Sequence, residues 1–180
     1  MKELSLNILD IAQNSVKAGA KHLTIRLEQR GRWLSITITD DGVGMSPEFA
    51  AAAVDPFTTT RTTRKVGMGL PLFKLAAEQT GGTFSISSRQ AQEGRADHGT
   101  TVAATFDTGH VDCEPIGDVA STVVALIQGN PDLSLTYEHV TGGGETRLST
   151  DEMREVLGQD MPLNSPEVLA WAREFLEEGE

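Results

Sequence analysis

Two runs of strict two-residue alternation constrain this chain most. His22-Leu-Thr-Ile-Arg-Leu-Glu28 and Trp33-Leu-Ser-Ile-Thr-Ile-Thr39 each send apolar side chains to one face, and only Gln29-Arg30-Gly31-Arg32 separates them. Period two means half-buried strands, and so short a Gly-containing link means an antiparallel hairpin. The apolar face of that hairpin needs a cover, and helical patterns flank it. Glu3 to Ala18 reads as an amphipathic helix with Leu4, Ile8, Ile11, Ala12, Ser15 and Val16 on one face and Asn7, Asp10, Asn14 and Lys17 opposite. Asp40-Asp41-Gly42-Val43-Gly44-Met45 breaks the second strand. Ser46 then caps a short helix that runs to Val54, with Pro47 at its first position. A further helix is expected over Leu70–Thr80, with Leu72, Phe73, Leu75, Ala76 and Gln79 on one face, Pro71 at its start and Gly81-Gly82 as its stop. Strands at Thr83–Ser88 and Thr100–Phe106 follow, joined by the polar loop Arg89–Gly99. Helices and one antiparallel or mixed sheet make this an α+β two-layer sandwich.

Charge divides the chain. Residues 1–110 hold 12 Lys and Arg against 11 Asp and Glu, whereas residues 111–180 hold 3 against 15, which accounts for the overall net of −11. The step places a boundary near Thr108–Glu114: a first domain over 1–110 and an acidic C-terminal extension over 111–180. The extension reads as a small α/β appendage, with helices at Ile116–Gln128, Thr150–Leu157 and Ser165–Glu178. Strands at Leu133–Val140 and Glu145–Leu148 are joined by Gly142-Gly143-Gly144. A surplus of carboxylates repels a phosphate backbone, so no nucleic-acid partner is expected. No apolar run reaches membrane-spanning length, and Met1-Lys2-Glu3-Leu4 lacks a signal peptide's apolar core. The single cysteine, Cys113, excludes an internal disulfide and any Cys-based metal cluster. A cytoplasmic protein with no membrane contact is the expectation.

Between the short helix and the helix at Leu70 lies Asp55 to Gly69, which carries Arg61, Arg64, Lys65, five threonines and Gly67-Met68-Gly69, with apolar periodicity of neither kind. A cationic, Gly-ended loop that feeds a helix N-terminus directs free backbone N–H groups and the positive end of the helix dipole at whatever it encloses. It reads as a lid over the phosphates of a nucleotide. A Rossmann reading of Gly67-Met68-Gly69 fails because the third glycine is missing and no strand precedes it. An EF-hand reading of Asp40-Asp41-Gly42 fails because no Asp/Asn ladder precedes it and no Glu closes it.

Four pieces in this order resemble the ATP-binding domain shared by histidine kinases, anti-sigma-factor kinases, type II topoisomerases, Hsp90-type chaperones and MutL-type repair proteins. Asp10-Ile-Ala-Gln-Asn14-Ser-Val-Lys-Ala-Gly-Ala20 looks like the family's N box, and Asp40-Asp-Gly42-Val-Gly44-Met45 like its Asp-x-Gly-x-Gly box. Phe57 with Gly67-Met68-Gly69-Leu70 is similar to the kinases' F box and lid, and Gly99-Thr100-Thr101 to the last glycine box. The resemblance implies the two-layer Bergerat ATP-binding fold, ATP and Mg²⁺ as ligands, and roles for particular residues. Asn14 is implied as the Mg²⁺ ligand and Asp40 as the acceptor of the adenine amino group, supported by Thr100 directly or through water. Met45, Phe57, Lys65, Gly67, Met68, Gly69 and Leu70 complete the nucleotide site, with Gly42 and Gly44 letting the backbone turn and approach the base.

Elementary chemistry agrees with these roles. Asp10 and Asn14 stand at i and i+4 and can serve one pocket; an amide oxygen is a hard ligand suited to Mg²⁺, which keeps waters and takes phosphate oxygens. A carboxylate accepts the amino hydrogen of adenine, and a keto group in its place leaves a buried acceptor unpaired, which selects ATP over GTP. Asp10 stands where the family's ATPases carry a glutamate general base, one methylene shorter, so slow hydrolysis is expected. Arginine after Thr58-Thr59-Thr60 and Pro71 in place of a later glycine depart from the kinase pattern.

The leading expectation is a stand-alone regulatory protein kinase, anti-sigma-factor-like, that phosphorylates a partner protein recognised through the acidic extension. Its rivals are an ATP-gated interaction switch and a slow ATPase without phosphotransfer. None of His22, His98, His110 or His139 falls on a predicted helix, so self-phosphorylation on histidine is not expected. A homodimer is compatible with the sequence. In every version Asn14→Asp should abolish nucleotide binding in a titration with Mg·ATP; a near-normal affinity would mean the pocket is misassigned.

Overall fold

The computed structural model describes residues 3–55, 69–92, 97–158 and 160–179. The first helix, α1 (Leu4–Lys17), leads into the hairpin β1 (His22–Arg30) and β2 (Trp33–Asp40). Their register, Leu23↔Asp40 to Arg30↔Trp33, leaves Gly31-Arg32 as a two-residue turn. The short helix α2 (Pro47–Ala53) is capped by the Ser46 hydroxyl, which accepts the Phe49 N–H at 3.2 Å. Then come α3 (Gly69–Gln79), β3 (Phe84–Arg89), β4 (Gly99–Asp107), α4 (Val119–Gly129), β5 (Ser134–Thr141), β6 (Gly144–Ser149), α5 (Thr150–Leu157) and α6 (Pro166–Glu178). The six strands form one mixed sheet in the order β3-β4-β2-β1-β5-β6. Among the described strands only β1 and β5 run parallel. This is the α+β two-layer sandwich the patterning implied.

Helices α3, α1, α4 and α6 lie side by side over one face of the sheet. Beneath them Ile25, Leu27, Leu34, Ile36, Val102, Ala104 and Phe106 form a continuous apolar floor. Phe73 of α3 packs against Phe106 with ring centroids 5.4 Å apart and meets Phe84 edge-on at 6.4 Å. Because α1 is flanked by helices on both sides as well as by the sheet, it buries more of its circumference than a surface helix does. Asn7, placed by periodicity on the polar face, is therefore fully buried, with neither side-chain polar atom hydrogen-bonded among the described residues. The buried stripe of α3 is Leu70, Phe73, Ala76 and Ala77, and Leu75 is half exposed. The described part of that helix begins at Gly69, so Pro71 sits within the first turn rather than at its first position. The Thr150 hydroxyl is buried and donates to the Leu133 carbonyl, and Ser149 caps α5.

The charge step near residue 110 is not a break in the fold. β5 pairs with β1 from His22↔Ser134 to Glu28↔Val140, so the same sheet continues across it. At the other end of the core, the first-turn N–H groups of Leu4 and Ser5 donate to the carbonyls of Pro115 and Ile116, at 2.9 and 2.8 Å. Those donors have no intrahelical acceptor. The backbone of the acidic extension thus supplies part of the frame that holds α1.

Where β2 begins and β4 ends, the Arg32 guanidinium grips Asp107 with two bonds, Nε–Oδ1 at 2.5 Å and Nη2–Oδ2 at 2.6 Å. That hydrogen bond, with the charge beside it, holds the Asp107 carboxyl below the usual carboxylate range. A depressed native pKa contributes stability above the unfolded value, lost as pH falls through the native one. The stability difference between the native chain and Asp107→Asn, measured by urea denaturation, should stay constant down to about pH 4 and shrink below it. A difference that already fades between neutrality and the carboxylate range would show that the pair contributes through some other group.

Candidate nucleotide site

The N-terminal half of the sheet and α1 enclose a cleft of about 400 Å³, a size common for small-molecule sites. Ile11, Ile38, Val43, Met45, Leu70 and Val102 make its walls apolar, and Asn14, Asp40 and Thr100 bring polar groups into it. The side chain of Asp40, at the end of β2, is fixed from two sides. Its Oδ2 accepts the Ser15 hydroxyl at 2.5 Å, and its Oδ1 accepts the Gly42 N–H at 2.8 Å. A carboxylate has about four lone-pair positions, so this one is oriented and can still accept a donor from the cleft. Ser15 is buried on α1, one position beyond Asn14. One helix turn therefore carries both the residue facing the cleft and the residue that aims Asp40.

The neighbouring aspartate does a different job. Asp41 accepts the backbone N–H groups of Lys21 and His22 and contacts the His22 ring at 2.7 Å. Burial alone would raise its carboxyl, and the hydrogen bonds from His22 and Lys21 outweigh it and hold the pKa below the ordinary range. It ties the loop after β2 to the start of β1.

The two glycines after Asp40 close the loop against protein. Gly44 has φ +72°, and a Cβ there would lie 2.1 Å from the Arg89 carbonyl oxygen. Ala91 N–H donates to Val43 O at 2.6 Å on the same seam. At Gly42 a Cβ would meet Ala18 at 3.0 Å. These glycines permit close approach to the C-cap residue of α1 and to the last residue of β3. The segment after β3 brings Gln90 to the cleft, and His98 Nδ1 lies 2.5 Å from the Gly42 carbonyl oxygen. Thr100 lines the cleft, but its hydroxyl pairs with Ser88 at 2.7 Å, and Ser88 in turn accepts the Met45 N–H at 2.7 Å. Direct support for Asp40 comes from Ser15, not from Thr100.

Of the residues selected from sequence, Asn14, Asp40, Gly44, Met45, Leu70 and Thr100 line the cleft, and Gly42 lies behind it. Asp10 and Gly69 do not line it. They pack against each other one turn away along α1, where a Cβ on Gly69 would stand 3.0 Å from that of Asp10. Burial pushes the Asp10 carboxyl up against the opposing pull of Lys17. Phe57, Arg61, Arg64, Lys65, Gly67 and Met68 lie outside the described residues. Sequence reasoning missed Ser15, Ser88, Gln90, Phe49 and His98. A small hydroxyl among apolar helix positions reads as core, and the others become neighbours of the cleft only through tertiary pairing.

Gly44→Ala should cut nucleotide affinity at least about tenfold while leaving the circular dichroism spectrum intact, because a methyl at positive φ against a carbonyl must displace the loop that carries Val43 and Met45. Unchanged affinity by calorimetry would mean that this loop does not shape the binding site.

Comparison with known proteins places this arrangement. Residues 2–110 match the family model described as histidine kinase-, DNA gyrase B- and HSP90-like ATPase. The tetrathionate sensor histidine kinase TtrS of Salmonella typhimurium is 30% identical over 115 residues, which is 64% of this chain and 19% of that protein. The C4-dicarboxylate transport sensor protein DctS of Rhodobacter capsulatus is 33% identical over 88 residues, 46% of this chain and 13% of that protein. The chain therefore spans less than a fifth of the length of these relatives. The Aquifex aeolicus MutL ATPase domain complexed with ADP superposes with a TM-score of 0.54 over 87% of this chain and 69% of that one, at 16% identity, a likeness of fold. The family model spans α1 through β4, the elements that enclose the cleft, and the chain belongs to the histidine kinase-, DNA gyrase B- and HSP90-like ATPase family.

Proposed function

We propose that the chain binds ATP with Mg²⁺ in the cleft between α1, β2 and β4 and transfers the γ-phosphate to a side chain of a partner protein, as a regulatory protein kinase. The observation that carries the nucleotide assignment is the Asp40 carboxylate, held by Ser15 and Gly42 with acceptor capacity to spare inside an apolar cleft. That is the chemistry that takes the exocyclic amino group of adenine.

Mg²⁺ fits the residues at hand in one way. Among the described residues no group of three or more His, Cys, Asp or Glu could hold a metal, so the ion would come with the phosphates and take the Asn14 side-chain oxygen as its protein ligand. Once bound, it would draw negative charge from the phosphate oxygens. The protein's own work is to seat the base on Asp40 and exclude water from the apolar walls around Leu70 and Met45.

Two observations favour an acceptor on another protein over water or self. Asp10, the candidate base for water, is one methylene shorter than the glutamate it replaces, which sets its carboxylate back from an attacking water. The four histidines stand on strands or in loops, with none on a described helix. Both support slow hydrolysis and transfer in trans. Purified protein and host lysate incubated with γ-labelled ATP and Mg²⁺ should label a second protein and leave this chain unlabelled, with phosphate release below about 1 s⁻¹. Label that stays in ATP would favour an ATP-gated switch, and rapid release abolished by Asp10→Ala would make the protein an ATPase; either result overturns the kinase reading.

A further inference from the structure

At the sheet edge opposite the nucleotide cleft, α5 and α6 frame a groove of about 510 Å³ beside β6. Its floor is Leu148, Met153 and Val168, all buried. Its walls are apolar and open to solvent: Val156 is 84% exposed, Trp171 51% and Met161 41%, with Trp171 stacked on Phe175 at 5.4 Å. A contiguous apolar face of this kind on a monomer marks an interaction site. The charge at its rim is predominantly acidic: Glu152 and Glu167 line the groove and are exposed, Glu174 follows on the helix that carries Trp171, and Arg147 is the one cation among the lining residues. The only three cations of residues 111–180 are already engaged, Arg147 with Glu152, Arg154 with Asp151, and Arg173 with Asp118 and Glu177.

We infer that this groove docks a cationic amphipathic helix of a partner protein, its large apolar side chains at helical spacing against Trp171, Val156 and Met161 and its Lys or Arg side chains over the acidic rim. Three features select that occupant. The trough lies between two helices, the shape that takes an amphipathic helix by its i, i+3/i+4 and i+7 anchors. An added strand would pair along the backbone edge of β6 and leave the exposed Val156 on α5 and Trp171 on α6 uncovered. A second copy of this chain would bring an equally acidic rim against this one, and like charges across an interface are repulsive. A basic segment gains from the same field in encounter rate and in orientation.

This gives a location and a chemistry to the partner contact of the proposed function and to that extent rests on it. The test uses no nucleotide, so the two readings fail separately. The full chain with Trp33→Phe leaves Trp171 as its sole tryptophan. It is titrated with a synthetic leucine–lysine peptide of helical amphipathic spacing, with its leucine–glutamate counterpart, and with a peptide of the first composition in scrambled order. The lysine peptide should bind with a blue shift of Trp171 emission. Binding should weaken at least about tenfold between roughly 20 and 300 mM salt, and by a similar factor in Val156→Asp, whose exposed side chain does not hold the fold together. Circular dichroism of that variant checks the fold. The glutamate peptide should leave the emission unchanged, and the scrambled peptide should bind at least about tenfold more weakly. Equal binding of the scrambled peptide, or Val156→Asp without effect, would overturn the inference. So would a concentration-dependent dimer in sedimentation that Val156→Asp dissolves, since that would give the groove to a second copy.

Discussion

The hydrogen bond from Ser15 to Asp40 is the joint on which the site depends. It links the helix layer to the sheet at the point where β2 ends, and with the Gly42 N–H it leaves the carboxylate a single orientation toward the cleft. A charge-assisted bond of this type is worth about 1.5–3 kcal/mol when shielded from water. Its directional effect matters more here, because a carboxylate free to rotate would present no defined acceptor. Asn14 precedes Ser15 on α1, so any displacement of the helix moves the aim of Asp40 and the position of Asn14 together.

That helix is positioned from several sides. The sheet lies below it, α3 and α4 flank it, and the carbonyls of Pro115 and Ile116 receive its first N–H groups. The acidic part of the chain is therefore mechanically continuous with the site: it completes the sheet through β5 and anchors the start of α1. Its outer edge carries the groove between α5 and α6. Partner contact at one edge and nucleotide at the other would be joined through a single helix layer, α6-α4-α1-α3, and a single sheet.

Much of this was readable from residue order. Alternation in His22–Glu28 and Trp33–Thr39 specifies strands and register together, because a one-residue slip would turn Ile25 and Ile36 to solvent. Asp40 was readable as a strand end followed by glycines. Ser15 was not, since its hydroxyl falls on the same helical stripe as Ile11 and Ala12 and periodicity cannot separate a polar bridge from core. Asn7 misled for the complementary reason: a helix flanked on three sides buries positions that a surface helix exposes. Gln90 reaches the cleft, and Ser88 and His98 reach the residues around it, through strand pairing and the return of the chain after β3, which local pattern does not encode. The same holds for β5, whose place beside β1 is a parallel pairing across more than a hundred residues. A charge step marks a change in surface, and a sheet can cross it.

Asp40 as the reader of an exocyclic amino group is the proposal that paired titrations with ADP and GDP in the presence of Mg²⁺ test most directly. It predicts at least about tenfold tighter binding of ADP, because the keto oxygen of guanine would face a carboxylate already fixed as an acceptor. Equal affinities, or no measurable binding of either nucleotide, would contradict it.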